Sequence, residues 1–436
     1  MLNIVSHLHQ KYSDNILVTH NNHDIIYEVR GFQLHLIHLP SMQVDNNMKN
    51  ISLETNLVDI DYSPGISSVL SCSDKGDIHI WDMRDNVSQL TFRSNKQFID
   101  IPFTCCSIST DGSLICCGTE VYRVKKSRNK KRRKRNNSRE SSEQDEETAH
   151  LVYWDTRNLS SPLGSFKDFH SDDIVDVKFD PTSVPGYLRL MDCSEDGILC
   201  LYDMNGEAVS QDNSLLYMFN SESVASSCDW LVTHHHSSNS IVGVYCTTTM
   251  RSNIKAWPTH SSMLHHSIKT IKKDGSLEEE DEEISKQNED EGELNLSEKD
   301  EKDFSEKTQL WNSKFKNTDN TLKGKNFFNM LLIQEDSSDE FLLLGENSCD
   351  DAGDYDKNFP TVFHSHSSHK STTWTVSCLP TTMNNSKPIN NNSNFNLQYA
   401  DFLGKLNDSN DTKKQLCFMV GSQSTVLCSY EILPTP

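Results

Sequence analysis

Long apolar runs are missing from this 436-residue chain: nothing approaches the ~20 consecutive apolar residues that a membrane-spanning helix needs. Residues 1–11 carry no basic start followed by an apolar core, so no secretory leader is expected either. Apolar residues make up only 35% of the chain. A globular average that also counts glycine is roughly 45–50%, so a sizeable share of the sequence should lie outside any core. No Cys-x-x-Cys occurs. The 13 cysteines are scattered and include the adjacent pairs Cys105-Cys106 and Cys116-Cys117 inside apolar stretches, which points to reduced thiols in an intracellular protein without a cysteine-based zinc site. Absent too are G-x-S-x-G, the phosphate-cradling G-x-x-x-x-G-K-[ST] and H-E-x-x-H. No catalytic constellation can be named, and neither an enzyme nor a cofactor is expected.

The formal charge of −22 hides two segments of opposite sign. Between Arg123 and Arg135 (RVKKSRNKKRRKR) stand ten basic residues and no acid; between Glu278 and Glu306 stand fifteen acids and three lysines. Like charges in blocks repel, and neither block holds enough apolar residues to offset the entropy of ordering. With a third, Asn-rich segment (MNNSKPINNNSNFN) they define three expected disordered inserts: 122–149, basic then acidic; 274–310, acidic; and 383–413, Asn-rich. What remains is itself acidic, which argues against a nucleic-acid groove on the folded body. Contact with nucleic acid would have to come from the basic insert.

The remainder repeats. Residues 57–85 read as three short alternating segments (LVDIDYSP, SSVLSCSDKG, DIHIWDMRD) closed by Trp81-Asp82. Residues 103–158 repeat the design and close at Trp154-Asp155; residues 170–205 close at Tyr202-Asp203; a degraded copy closes at Trp257-Pro258. Tyr202 follows Trp154 by 48 residues, and Trp154 follows Trp81 by 73, of which 28 belong to the insert. Ile37 falls in the same slot 44 residues before Trp81. Two further copies are expected downstream: FNMLLIQED, DEFLLLGENS and TVFHSH as the sixth, then HKSTTWTVSCLP, QLCFMVGSQ and TVLCSYEIL as the seventh. Alternation with period two predicts strands, and Asp111-Gly112 and Asp196-Gly197 predict tight reversals. Only six residues follow Tyr430, too few for a turn and another strand. The last sheet should therefore take its fourth strand from residues 2–8 (LNIVSHL), so that the chain ends share one sheet.

A period of roughly 40–45 residues with closing Trp-Asp pairs resembles the WD40-repeat β-propeller proteins. The strings Val152-Tyr153-Trp154-Asp155-Thr156-Arg157, Leu163-Gly164 and His170-Ser171-Asp172-Asp173 are similar to one group of WD repeat-containing proteins over residues 57–232. The resemblance implies an all-β fold, a single seven-bladed propeller over 1–436 with long loop inserts. It also implies a non-catalytic platform that binds other proteins through its rims. In such repeats a His, a Ser or Thr, a turn Asp and the closing Trp form a buried hydrogen-bond chain. Here the resemblance maps it onto His170, Ser194, Asp196 and Tyr202, with Tyr in place of Trp.

Three partner readings follow. Trp81-Asp82-Met83-Arg84 and Trp154-Asp155-Thr156-Arg157 share the pattern W-D-x-R in adjacent blades, and residues 69–84 resemble the box with which substrate receptors of cullin ring ligases hold their adaptor. Arg84 and Arg157 are the candidate partner contacts. Lys130, Lys131, Arg132, Arg133, Lys134 and Arg135 read as a nuclear import signal or an RNA-attracting patch. The acidic insert could attract basic nuclear proteins. A metal reading of His234-His235-His236, and of His364, His366 and His369, finds no Cys or carboxylate partner at ligand spacing within Ser-rich connections, so no metal is expected. Asp350 to Asp356 lack the terminal bidentate Glu of a calcium loop.

Overall fold

The computed structural model describes residues 2–45, 56–93, 101–123, 147–205, 214–259, 298–335, 338–348, 358–378, 397–406 and 414–431, with gaps of one to five residues inside some of these stretches. Apart from one two-stranded ribbon, the described strands form seven antiparallel sheets arranged as the blades of a closed propeller. Blade one comprises Ile16–His20, Ile25–Arg30, Gln33–His38 and Gln43–Val44; blade two, Leu57–Ser63, Ser68–Ser73, Asp77–Asp82 and Ser88–Arg93; blade three, Phe103–Ile108, Leu114–Thr119, Leu151–Asp155 and Gly164–Phe166. Blade four is built from Ile174–Phe179, Arg189–Ser194, Ile198–Asp203 and Leu215–Asn220. Blade five comprises, among the described residues, Ala225–His234, Asn239–Thr248 and Asn253–Pro258. Blade six runs Asn326–Glu335, Ser338–Ser348, Asn358–Ser367 and Thr372–Cys378.

Ring closure follows the sequence expectation. Blade seven joins Leu397–Leu406, Lys414–Gly421 and Ser424–Glu431 to Leu2–His9, with Leu2 opposite Tyr430 and Leu8 opposite Thr425. A buried polar staple reinforces this seam. Arg30, at the end of blade one's second strand, donates to the carbonyls of Gly421 and Ser422 at 3.0 Å each and pairs with fully buried Glu28 at 2.7 Å. Glu28 also accepts from Gln10 at 2.5 Å, tying the residue after the closing strand into the same network.

Each blade presents alternate residues to its neighbours, so the core is divided into seven clusters between successive blades. Trp81 fills the gap between blades one and two, Trp154 that between two and three, Tyr202 that between three and four, and Trp257 that between four and five. The Asp-Gly reversals form as expected, with Gly112 and Gly197 at φ of 75° and 82°. A Cβ at Gly197 would also lie 2.6 Å from the Ser223 carbonyl oxygen, so both backbone angle and space select glycine there.

Three assignments made from the sequence change. HKSTTWTVSCLP does not open blade seven: Thr372–Cys378 is the outer strand of blade six, paired with Asn358–Ser367. Blade seven opens instead with Leu397–Leu406, inside the span assigned to the Asn-rich insert 383–413. Its LQYADFLG carries the inward apolar residues Leu397, Ala400 and Phe402, which the surrounding Asn and Ser masked in composition.

The third change concerns the acidic insert 274–310, whose residues 298–310 begin a helix, Glu298–Phe315. Phe304, Trp311 and Phe315 recur at helical spacing and pack against the blade-five and blade-six cores, while Asp303 and Glu306 are exposed. Acids in the first turn and Lys314 in the last suit the helix dipole. Among the described residues blade five has no fourth strand, and this helix lies against its outer strand Asn253–Pro258. The Asn312 amide mimics an adjacent strand, accepting from Ala256 N–H and donating to Ala256 C=O, both at 3.0 Å. Trp311 is fully buried and donates to Asp339 at 2.7 Å. Of insert 122–149, residues Tyr122–Arg123 and Glu147–Thr148 pair as a two-stranded ribbon at its base. The import candidates Lys130 to Arg135 lie outside the described residues, as do Asp350 to Asp356.

Candidate functional site: the Asp-Arg rim and the inner girdle

In blade four the buried polar chain exists with one member exchanged. His170 places Nε2 3.1 Å from Asp192 and Nδ1 3.3 Å from Asp196, and the Tyr202 hydroxyl donates to Asp192 at 3.2 Å. Ser194 lies outside the chain and donates to the Asp172 carbonyl at 3.0 Å. Asp192, two residues earlier on the same strand face, occupies the place expected for Ser. Burial works against a charged imidazole, but the Asp192 carboxylate and its hydrogen bonds dominate and hold the His170 pKa well above its ordinary value. Asp203 caps the following turn by accepting from Asn205 N–H at 2.9 Å.

The neighbouring blades show what happens when the chain is incomplete. The indole nitrogens of Trp81 and Trp154 are buried without a hydrogen-bond partner. Register puts Ser71 and Cys117 at the positions equivalent to Asp192. Cys117 is a poor acceptor, and the Ser71 hydroxyl is itself unpartnered. Their stability rests on packing: Trp154 makes edge contacts with Phe92 and Phe103 at 6.0 Å each.

The two W-D-x-R motifs adopt the same geometry at the ends of the third strands of blades two and three. Arg84 donates from Nε to Asp82 at 3.0 Å and from Nη2 at 2.6 Å, and its backbone N–H donates to the same carboxylate at 2.9 Å. Arg157 repeats this on Asp155, at 2.9, 2.5 and 2.8 Å. The arginine hydrogen bonds hold Asp82 down to about 2 and lower Asp155 likewise. The arginine side chains are 64% and 83% exposed. Trp81 and Trp154 are fully buried beside them. Each unit is therefore a guanidinium plate anchored through its Asp to a rigid strand end, on the face that carries the turns after first and third strands. In both candidate partner contacts the guanidinium edge bearing Nε and Nη2 is already committed to the chain's own aspartate.

A second polar system, not anticipated from sequence, lines the inner edge of the ring. Asp59 accepts from Cys106 N–H at 2.8 Å; Asp61 accepts from the Ser107 hydroxyl at 2.7 Å and from Ile108 N–H at 2.9 Å; Ser107 in turn accepts from Phe179 N–H at 3.1 Å. Asp176 accepts from Cys228 N–H at 3.1 Å, Asn329 donates to Asp401 at 2.7 Å, and Asp401 pairs with His20 at 2.7 Å. Side chains of the innermost strands thus lace one blade to the next. Lys178 sits among Asp59, Asp61, Asp176 and Asp229, whose charges raise its pKa against the burial that lowers it. Burial, opposed by Lys178, pushes Asp59 and Asp229 up to about 7. The signal was present in sequence as acids at alternate positions of predicted strands, where a half-buried sheet usually shows only its solvent face.

Of the histidine clusters, His234 ends the first strand of blade five and His235, His236 and His369 lie outside the described residues. His364 and His366 are strand residues of blade six rather than loop residues. Eleven cysteines, Cys72 to Cys246 together with Cys417 and Cys428, are buried and free.

Seven blades with a common register, closing aromatics at Trp81, Trp154 and Tyr202, and the His170 chain decide the architecture. The fold is a WD-repeat β-propeller. No protein-family model matches this propeller. It is similar to the uncharacterized WD repeat-containing protein C63.06 of Schizosaccharomyces pombe, 23% identical over 214 residues, covering 48% of this chain and 53% of that one. The uncharacterized WD repeat-containing protein YNL035C of Saccharomyces cerevisiae is 26% identical over 180 residues, 41% of this chain and 36% of that one. The propeller thus spans about half the length of the first relative and about a third of the second.

Proposed function

We propose that this WD-repeat propeller is a non-catalytic scaffold that binds other proteins at the rim of blades two and three. One observation carries the reading: two identical, exposed, pre-oriented Asp-Arg units on adjacent blades, each anchored beside a fully buried Trp. An arginine whose fork is fixed on a rigid strand end loses little entropy on binding, which suits a recognition element. Its exposed face is suited to stacking, and its outer in-plane N–H groups to carbonyl or carboxylate contacts.

The finer reading is that the partner is the adaptor of a cullin ring ligase, with the propeller as substrate receptor; the paired W-D-x-R motifs support it. The likeness of residues 57–232 to WD repeat-containing protein 89 supports a general platform. A role in RNA or ribosome assembly would depend on the basic insert, and nuclear entry on Lys130 to Arg135. The acidic segment is suited to recruiting basic nuclear proteins.

Affinity purification followed by mass spectrometry tests the rim. Partners recovered with the wild-type chain should be depleted several-fold with Arg84→Ala/Arg157→Ala, the cullin adaptor among them on the finer reading. Equal recovery from the double variant would refute the rim. Recovery of rim-dependent partners without the adaptor would leave the scaffold and remove the ligase role. Loss of partners only when the basic insert is deleted would favour RNA-linked association.

A further inference from the structure

Away from the rim and the girdle, one cluster has the make-up of a metal site. We propose that Glu340, His364 and His366 of blade six bind a divalent transition-metal ion, with zinc the best match, at the cleft facing blade seven.

His364 and His366 stand two residues apart on Asn358–Ser367 and so share a sheet face. Leu342 pairs with His364 across the adjacent strand, which brings Glu340, two residues earlier, opposite His366. The donor atoms lie within 4.8 Å of one another. Glu340 Oε2 is 3.0 Å from His364 Nε2, and Oε1 is 3.9 Å from His366 Nδ1. Donors on one tetrahedral ion, each at ~2.0–2.2 Å, stand roughly 3.3 Å apart, so small side-chain rotations complete the set.

Two details favour an ion over a plain His-Glu pair. His366 Nδ1 is buried beside the Glu340 carboxylate and has no hydrogen-bond partner. His364 has an outer partner, the Tyr430 hydroxyl, 3.3 Å from Nδ1, which orients the ring with Nε2 toward the site as second-sphere groups do for metal-bound imidazoles. Glu340 and His364 are buried, whereas the His366 side chain is 24% exposed, giving a path for the ion and room for a water as fourth ligand. Two imidazoles and one carboxylate suit zinc better than magnesium or calcium. The other close-packed group, His170, Asp192 and Cys200, differs because both imidazole nitrogens already face carboxylates.

The test uses the full chain, stripped with chelator and titrated with zinc chloride against a chromophoric competitor. One tight equivalent is expected in the wild type, weakened at least tenfold in both His366→Asn and Glu340→Gln and retained in His235→Ala/His236→Ala. Binding that survives the first two substitutions, or is lost with the third, would overturn the site. Cobalt(II) bound to the wild-type chain provides a readout free of variants. Visible bands of a four- or five-coordinate ion are expected, and the weak spectrum of hydrated cobalt alone would overturn the proposal.

Discussion

Replacing His170 by Gln withdraws a cation from the most completely wired blade. His170 is 4% exposed, Asp192 is fully buried, and Tyr202 depends on the same carboxylate. Breaking a buried ion pair costs ~3–5 kcal/mol, and a Gln amide that recovers one hydrogen bond returns about 1 kcal/mol. The expected loss is therefore about 2–4 kcal/mol. For a chain of this size each kcal/mol moves Tm by roughly 1–2 °C, so a drop of about 3–7 °C is expected by differential scanning fluorimetry. The pH dependence fixes the mechanism. Because the folded pKa of His170 is raised, its stabilisation is fully present below the ordinary His value of about 6.5 and fades as pH rises from there toward the raised folded value. The gap between wild type and variant should then be largest at pH 6 and narrower at pH 9. A gap below 1 kcal/mol, or one that widens from pH 6 to 9, would refute a charged His170 held between two aspartates.

Other outcomes follow from the same structure. Trp311→Ala, which empties the helix position and removes the indole donor to Asp339, should cost ~3–5 kcal/mol in urea unfolding; a neutral result would mean the helix does not support blade five. Deleting residues 1–10 should lower Tm sharply, since Leu2–His9 closes blade seven and Gln10 serves the Glu28 staple. Asp59 and Asp229 have raised pKa values, so the stability they allow is fully present below the ordinary carboxylate value of about 3.9 and fades as pH rises from there to about 7. Asp229→Asn should accordingly raise Tm most at pH 8, less at pH 5 and least near pH 4. Arg84→Ala/Arg157→Ala should leave folding stability within about 1 kcal/mol by the same unfolding assay, because exposed ion pairs contribute little.

The architecture was legible wherever the apolar alternation was undiluted. Trp81, Trp154 and Tyr202 mark real third strands, Ile37 marks the third strand of blade one, and the alternation of residues 2–8 foretold the sheet they share with Tyr430. Legibility failed where composition and periodicity disagreed. In 298–310 the acids that mark an insert stand on a helix that packs inward through Phe304 and Trp311, with Asp303 and Glu306 exposed. In 397–406 the Asn-rich flank concealed an innermost strand. At the sites, local motifs such as W-D-x-R were readable because Asp and Arg two residues apart bond within one strand end. Cross-strand partnerships were not: Asp192 beside His170, Glu340 beside His366 and the inner girdle depend on registers that only the folded sheets define.

Photo-crosslinking places a partner on the rim most directly. A benzophenone amino acid at Asn158, exposed beside Arg157, samples the face that bears the Asp-Arg units; the same residue at Lys75 or Glu195 samples the turns of the opposite face. Cells irradiated with each version should yield partner adducts from position 158, and these should vanish when Arg84→Ala/Arg157→Ala is introduced. Adducts confined to positions 75 and 195, or adducts at 158 that persist in the double variant, would contradict the rim as the binding surface.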